Sequence, residues 1–165
     1  MNQTSRNVRI LSVSLSSRGF GYAVMEGGNT LVDYGHKVFG SDKNARTLAH
    51  IEKLIVRNVP KMLILSDVNA KGARRAPRIR ELHRNIVALA RRHKLKAVKV
   101  SARELRVALL GDEQGTKHEM AESLAARFPD ELASRLPPKR KPWESEDARM
   151  DVFDAVGLVM VWKGR

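Results

Sequence analysis

Lys61-Met62-Leu63-Ile64-Leu65-Ser66-Asp67 is the stretch that decides how this chain folds. Residues 62–65 form an unbroken apolar run, short and without the alternation of a half-exposed strand. Such a run reads as a strand covered on both faces, the kind found in parallel pairing. Pro60 stands before it, and further back Leu48, Ile51, Leu54 and Ile55 recur at helical spacing behind Ser41, a candidate cap. A strand entered through a helix has the connection that parallel pairing requires.

Upstream, residues 8–14, 20–25 and 30–39 are rich in β-branched and aromatic side chains. Gly19 and Gly27-Gly28-Asn29 separate them as turn formers, so three strands in an antiparallel meander are expected. Downstream, a loop with Lys71, Gly72, Arg74 and Arg75 leads to Pro77, which suits the first turn of a helix. Ile79, Leu82, Ile86 and Leu89 form the inner stripe of that helix, while Arg78, Arg84, Arg91 and Arg92 lie off it. Residues 96–100 read as a fifth strand.

Ser101 with Glu104, and Thr116 with Glu119, have the spacing of capping boxes. The first helix should end at Gly111 and the second at Pro129, with Met120, Leu124 and Phe128 on its buried face. Residues 136–143 form an irregular basic connection, and Ser145 is the expected cap of a last helix reaching about Trp162. The order β-β-β-α-β-α-β-α-α-α predicts an α/β fold over residues 1–165 as one domain. Its sheet is mixed and five-stranded, three antiparallel strands followed by two parallel ones, with flanking helices.

With 165 residues, 42 % of them hydrophobic and 30 % charged, the chain can bury a core and stay in solution. Its formal net charge of +13 favours a polyanionic partner, most simply nucleic acid. The thirteen Lys and Arg of residues 71–106 face only Glu81 and Glu104, whereas five acids fall within residues 144–154. Cysteine is absent, which excludes disulfides, thiolate zinc sites and a cysteine nucleophile. Residues 1–7 carry no apolar signal segment, and the run 156–162 is too short to span a bilayer. A cytoplasmic protein with no membrane partner is expected. His36, His50, His83, His93 and His118 show no metal-ligand spacing, and no GxxxxGK[ST] or GxSxG motif occurs.

Chemistry could sit in two places. Asp147, Asp151 and Asp154 are spaced i, i+4 and i+7, one face of the expected last helix. Carboxylates at close quarters suit hard cations such as Mg²⁺ or Mn²⁺. The competing reading is a solvated acidic face near a helix N-terminus, which fits Glu146 and Asp147 but not Asp154, set among Val152, Phe153, Ala155 and Val156. The second place is Ser66-Asp67, because ligands gather at the carboxyl ends of parallel strands. Asp67 could equally start the next turn.

Three segments, in this order, resemble the RuvC-type Holliday-junction resolvases of the RNase H-like fold. Residues 10–24, ILSVSLSSRGFGYAV, resemble the family's opening strand and turn, ILGIDPGxxxxGYGV. Residues 62–67 resemble the strand that ends in a catalytic Glu, and residues 151–158, DVFDAVGL, resemble the closing DxxDAxAxA helix. Residues 100–104 and 115–118 echo the family's APxEVK and GxAxK segments.

The resemblance implies two-metal phosphodiester hydrolysis by four carboxylates, and a homodimer that cuts two strands symmetrically. Here Ser14 stands where the first carboxylate is expected and Ser66 where the Glu is expected; Asp151 and Asp154 match. The implied catalytic set is Asp67, Asp151 and Asp154, with Asp147 as a further candidate metal ligand. Lys71, Arg74, Arg75, Arg78, Lys117, Lys139, Arg140 and Lys141 are the candidate phosphate contacts. Three readings follow. One is a binder of branched or duplex DNA, in preference to RNA, whose nuclease activity is weak or lost. The second is an active Mg²⁺- or Mn²⁺-dependent structure-selective endonuclease. The third is a non-nucleolytic assembly protein whose basic surface docks on structural RNA or another protein.

Overall fold

The computed structural model describes residues 8–69 and 75–163. Five strands, β1 (Arg9–Leu15), β2 (Gly19–Glu26), β3 (Thr30–Val38), β4 (Met62–Ser66) and β5 (Lys96–Val100), form one sheet in the order β3-β2-β1-β4-β5. The pairs β1/β2 and β2/β3 are antiparallel, and β1/β4 and β4/β5 are parallel, as the residue pattern predicts.

Six α-helices occur among the described residues: α1 (Lys43–Asn58), α2 (Pro77–Arg92), α3 (Ala102–Leu110), α4 (Lys117–Arg127), α5 (Pro129–Leu132) and α6 (Met150–Lys163). Alternation along the strands divides them between two layers. Leu11, Val13 and Leu15 of β1 and Leu63 and Leu65 of β4 pack with Ile51, Leu54 and Ile55 of α1 and Ile79, Leu82 and Ile86 of α2. Ile64 and Val100 face the other way, onto Leu105, Leu124, Val152, Phe153 and Val156 from α3, α4 and α6. Helix α6 packs across β1 and β2. No described helix is long and apolar enough to cross a membrane.

Caps follow the sequence in part. Ser101 and Glu104 close a capping box on α3, which ends at Gly111 in the left-handed region, φ 70°. Thr116 accepts from the Glu119 backbone and starts α4. Ser41 does not cap α1; Asp42 holds that position at φ 49° with no side-chain bond. Pro129 opens α5, followed by a 3₁₀ turn over Ala133–Arg135.

The largest departure is at the last helix. It begins at Met150, not at Ser145. The Asp147 carboxylate accepts from the Arg149 backbone N at 2.9 Å, a turn that competes with helix. Bonds from Met150 N to Asp147 O (3.0 Å) and Asp151 N to Ala148 O (3.1 Å) then tighten the entry.

Candidate carboxylate site and its basic rim

Val13 and Leu65 point into the layer of α1 and α2, so period two turns their neighbours Ser14 and Ser66 to the opposite face of the sheet. The parallel register that pairs Val13 with Leu65 sets Ser14 beside Ser66 at the carboxyl ends of β1 and β4. On this face the Ser12 hydroxyl donates to the Ala155 carbonyl at 2.6 Å, tying α6 to β1. Gly21, the partner of Ser14 in β2, lets the start of α6 come close, since a Cβ there would lie 2.0 Å from the Asp151 carbonyl oxygen.

Three carboxylates converge at this end of α6. Oxygens of Glu146, Asp151 and Asp154 lie within 4.8 Å of one another. The Asp151 side chain is 3 % exposed and that of Asp154 17 %. Like charges this close require cations or donors beside them. The Ser16 hydroxyl donates to Asp151 Oδ2 at 2.8 Å, and Arg18 Nη2 lies 3.8 Å from Asp151 Oδ1. Arg18 Nη1 also donates to the Glu146 carbonyl at 2.6 Å, which holds the entering loop. Lys117 Nζ, at the first turn of α4, donates to both Glu146 oxygens at 3.2 Å and to Asp154 Oδ2 at 3.5 Å.

Proton affinities follow from this arrangement. Burial pushes Asp154 up to about 6, against the pull of Lys117. Burial also raises Asp151, opposed by the Ser16 bond and the Arg18 charge. At Lys117 burial acts downward, but Asp154 and Glu146 outweigh it and the ammonium form is favoured.

Of the residues expected at the site, Asp151 and Asp154 are brought together, and Asp67 and Asp147 are not among the converging carboxylates. Asp67 follows the end of β4, where its backbone N donates to the Val100 carbonyl at 2.8 Å and its Oδ1 accepts from Asn69 N at 3.0 Å. It starts the next turn, the second of the two roles its sequence position allows. Asp147 precedes α6 instead of lying on it, so the i, i+4, i+7 face does not include it. Its carboxylate takes two bonds from the Arg149 guanidinium, at 3.0 and 2.8 Å, which hold it down at about 2. The Ser66 hydroxyl oxygen is buried with no hydrogen-bond partner among the described residues.

The candidate phosphate contacts divide likewise. Lys71 and Arg74 lie outside the described residues. Arg75 Nη1 reaches the Leu15 carbonyl at 3.4 Å, and Arg78 donates to Asn44 Oδ1 at 2.7 Å and the Ser17 carbonyl at 3.1 Å. Lys43 Nζ adds a bond to Ser17 O at 2.9 Å. These cations bind carbonyl and amide oxygens rather than carboxylates, so the rim of the β1–β2 turn stays positive. Lys117 belongs to the acid cluster, while Lys139, Arg140 and Lys141 are exposed.

Glu146, Ser16 and Arg18 join the site without a signal in the residue spacing. From sequence, Glu146 suits a helix N-terminus; only the turn over residues 147–149 folds it back onto Asp151 and Asp154. Three carboxylates offer the oxygen donors that one hard divalent ion takes.

A scan against protein-family models finds no match, and a search of curated proteins finds none either. Solved structures do resemble the chain. RuvC of Thermus thermophilus matches with TM-score 0.68 and 12 % identity over 93 % of this chain and 92 % of that one. The T. thermophilus RuvC in complex with Holliday junction substrate gives 0.68 and 13 %, over 94 % and 92 %. The yeast mitochondrial Holliday junction resolvase gives 0.64 and 12 %, over 95 % and 78 %. At these identities the likeness is one of architecture, and the mixed five-stranded sheet with its helices is the RuvC/RNase H-like fold.

Proposed function

We propose that this chain is a RuvC-like nucleic-acid-binding protein that acts on branched or double-stranded DNA, with nuclease activity weak or lost. One observation carries the reading: neutral Ser14 and Ser66 lie near the carboxyl ends of β1 and β4 on the sheet face that α6 covers, while Lys117 Nζ lies between the Glu146 and Asp154 carboxylates. The donor set of Glu146, Asp151 and Asp154 fits one Mg²⁺ or Mn²⁺ ion. Bound there, such an ion would polarise a phosphodiester and lower the pKa of water. Holding two ions ~3.5–4 Å apart takes a bridging carboxylate, which a Ser14 hydroxyl does not replace. Lys117 and Arg18 neutralise much of the cluster's charge and let an anionic backbone approach.

In this reading Arg75, Arg78, Lys139, Arg140 and Lys141, together with Lys71 and Arg74, contact phosphates. Such contacts give affinity without sequence choice. A homodimer, which would present two such rims to a four-way junction, is part of the proposal. The test is fluorescence polarisation with labelled junction and duplex across a salt series. Six phosphate contacts predict a slope of log K against log salt of roughly −5. A salt-independent affinity contradicts the reading.

A second reading, an active endonuclease, is favoured by Glu146. With Asp151 and Asp154 it restores a three-acid set, in place of the Asp67 trio expected from the sequence. Cleavage of junction, duplex or RNA/DNA hybrid in Mn²⁺, abolished by Asp154→Asn, would support it.

A further inference from the structure

Trp143 is 79 % exposed, more than any other large hydrophobic side chain among the described residues. It is presented by a built turn. Pro142 occupies the second position of the turn from Lys141 to Glu144, closed by Glu144 N donating to Lys141 O at 3.0 Å. Arg140 Nη1 fastens the turn by donating to the Glu144 carbonyl at 3.0 Å. Lys141 Nζ stands 5.5 Å from the centre of the indole ring.

Cations dominate the charge before the ring. Lys139, Arg140 and Lys141 are exposed, and among the described residues none lies within salt-bridge distance of a carboxylate. Lys139 and Arg140 also wall a cavity of about 290 Å³ shared with Pro137, Pro138, Lys117 and Glu146. Trp143 is three residues from Glu146, so at most ~11 Å of chain separates it from the carboxylate cluster.

We infer that loop 139–143 is a binding site for an unpaired nucleotide: the indole stacks on the base while Lys139 and Arg140 take its phosphate. An aromatic face and a cationic groove are the two parts such recognition needs. Inside a continuous duplex both faces of a base are already stacked, so the ring can meet only a base freed at a branch, gap or single strand. The inference rests on the nucleic-acid reading above and narrows it to unpaired bases next to the carboxylates.

The full chain is titrated with labelled oligothymidine, read by polarisation and tryptophan emission, and with covalently closed circular duplex, read by gel shift. Oligothymidine should quench the emission, and Trp143→Phe should remove the quench because Trp162 does not respond. Trp143→Ala should weaken oligothymidine binding by roughly 5- to 150-fold and leave the circular duplex unchanged. Oligothymidine binding without quenching overturns the inference, as does an equal loss on both ligands. Failure of both ligands to bind the wild-type chain sinks the nucleic-acid reading itself, and this inference with it.

Discussion

Gly21 lies against the backbone of Asp151, where a Cβ would come 2.0 Å from the carbonyl oxygen and 2.7 Å from Val152 N. Both contacts are to backbone, so no flexible side chain can yield. The missing side chain thus sets how close α6 comes to the end of β1. Gly21→Ala should push α6 outward and destabilise the chain by about 1–3 kcal/mol, the usual cost of overpacking. Urea denaturation checks this; an unchanged midpoint would mean that α6 does not rest on β2 here.

Lys117 Nζ and a divalent ion would compete for the same oxygens of Glu146 and Asp154. Lys117→Met should therefore tighten Mn²⁺ binding by at least about fivefold, the ~1 kcal/mol of a unit charge at 4 Å screened as in water. Isothermal titration calorimetry of both proteins measures the change. In chelator the variant should melt slightly lower, because the carboxylates lose their counter-charge.

Stability should depend on pH through Asp154. Its carboxyl is raised from 3.8 to about 6, so between those values the native chain binds more protons than the unfolded one. Stability from this group therefore falls as pH rises from about 4 to about 6, by at most about 3 kcal/mol. Asp147, lowered to about 2, acts in a separate window and loses its contribution only as pH falls below about 4. Asp154→Asn should match wild type near pH 4 and melt higher above pH 6 in chelator. Melting curves across that range test the sign.

Much of the fold can be read from the residues. Period two in β1 to β3, the apolar run of β4 and the stripe Ile79, Leu82, Ile86 and Leu89 suffice for the number of strands, their antiparallel or parallel sense and the flanking helices. The site can be read only where it lies in regular structure, at Asp151 and Asp154. Glu146 escapes because the Asp147–Arg149 turn stops the helix short, a choice between two local hydrogen-bond patterns that spacing cannot reveal. Asp67 is not among the converging oxygens; its Oδ1 accepts from Asn69 N, a local bond that residue spacing does not reveal.

Carboxylates placed at positions 14 and 66 test the proposed weakness of the site. Ser14 is 6 % exposed, so Ser14→Asp with Ser66→Glu adds buried charge and should lower the melting temperature in chelator. Mn²⁺ should reverse that loss, and junction cleavage should appear. A double variant that Mn²⁺ does not stabilise would place those positions away from the carboxylate cluster.

Cleavage of a labelled four-way junction in Mn²⁺, at protein concentrations that saturate binding, probes the proposed weak or lost nuclease activity most directly. The junction should be bound and left intact, or nicked only in traces. Multiple-turnover cutting by the wild-type chain, abolished by Asp154→Asn, would contradict a site weakened by Ser14 and Ser66.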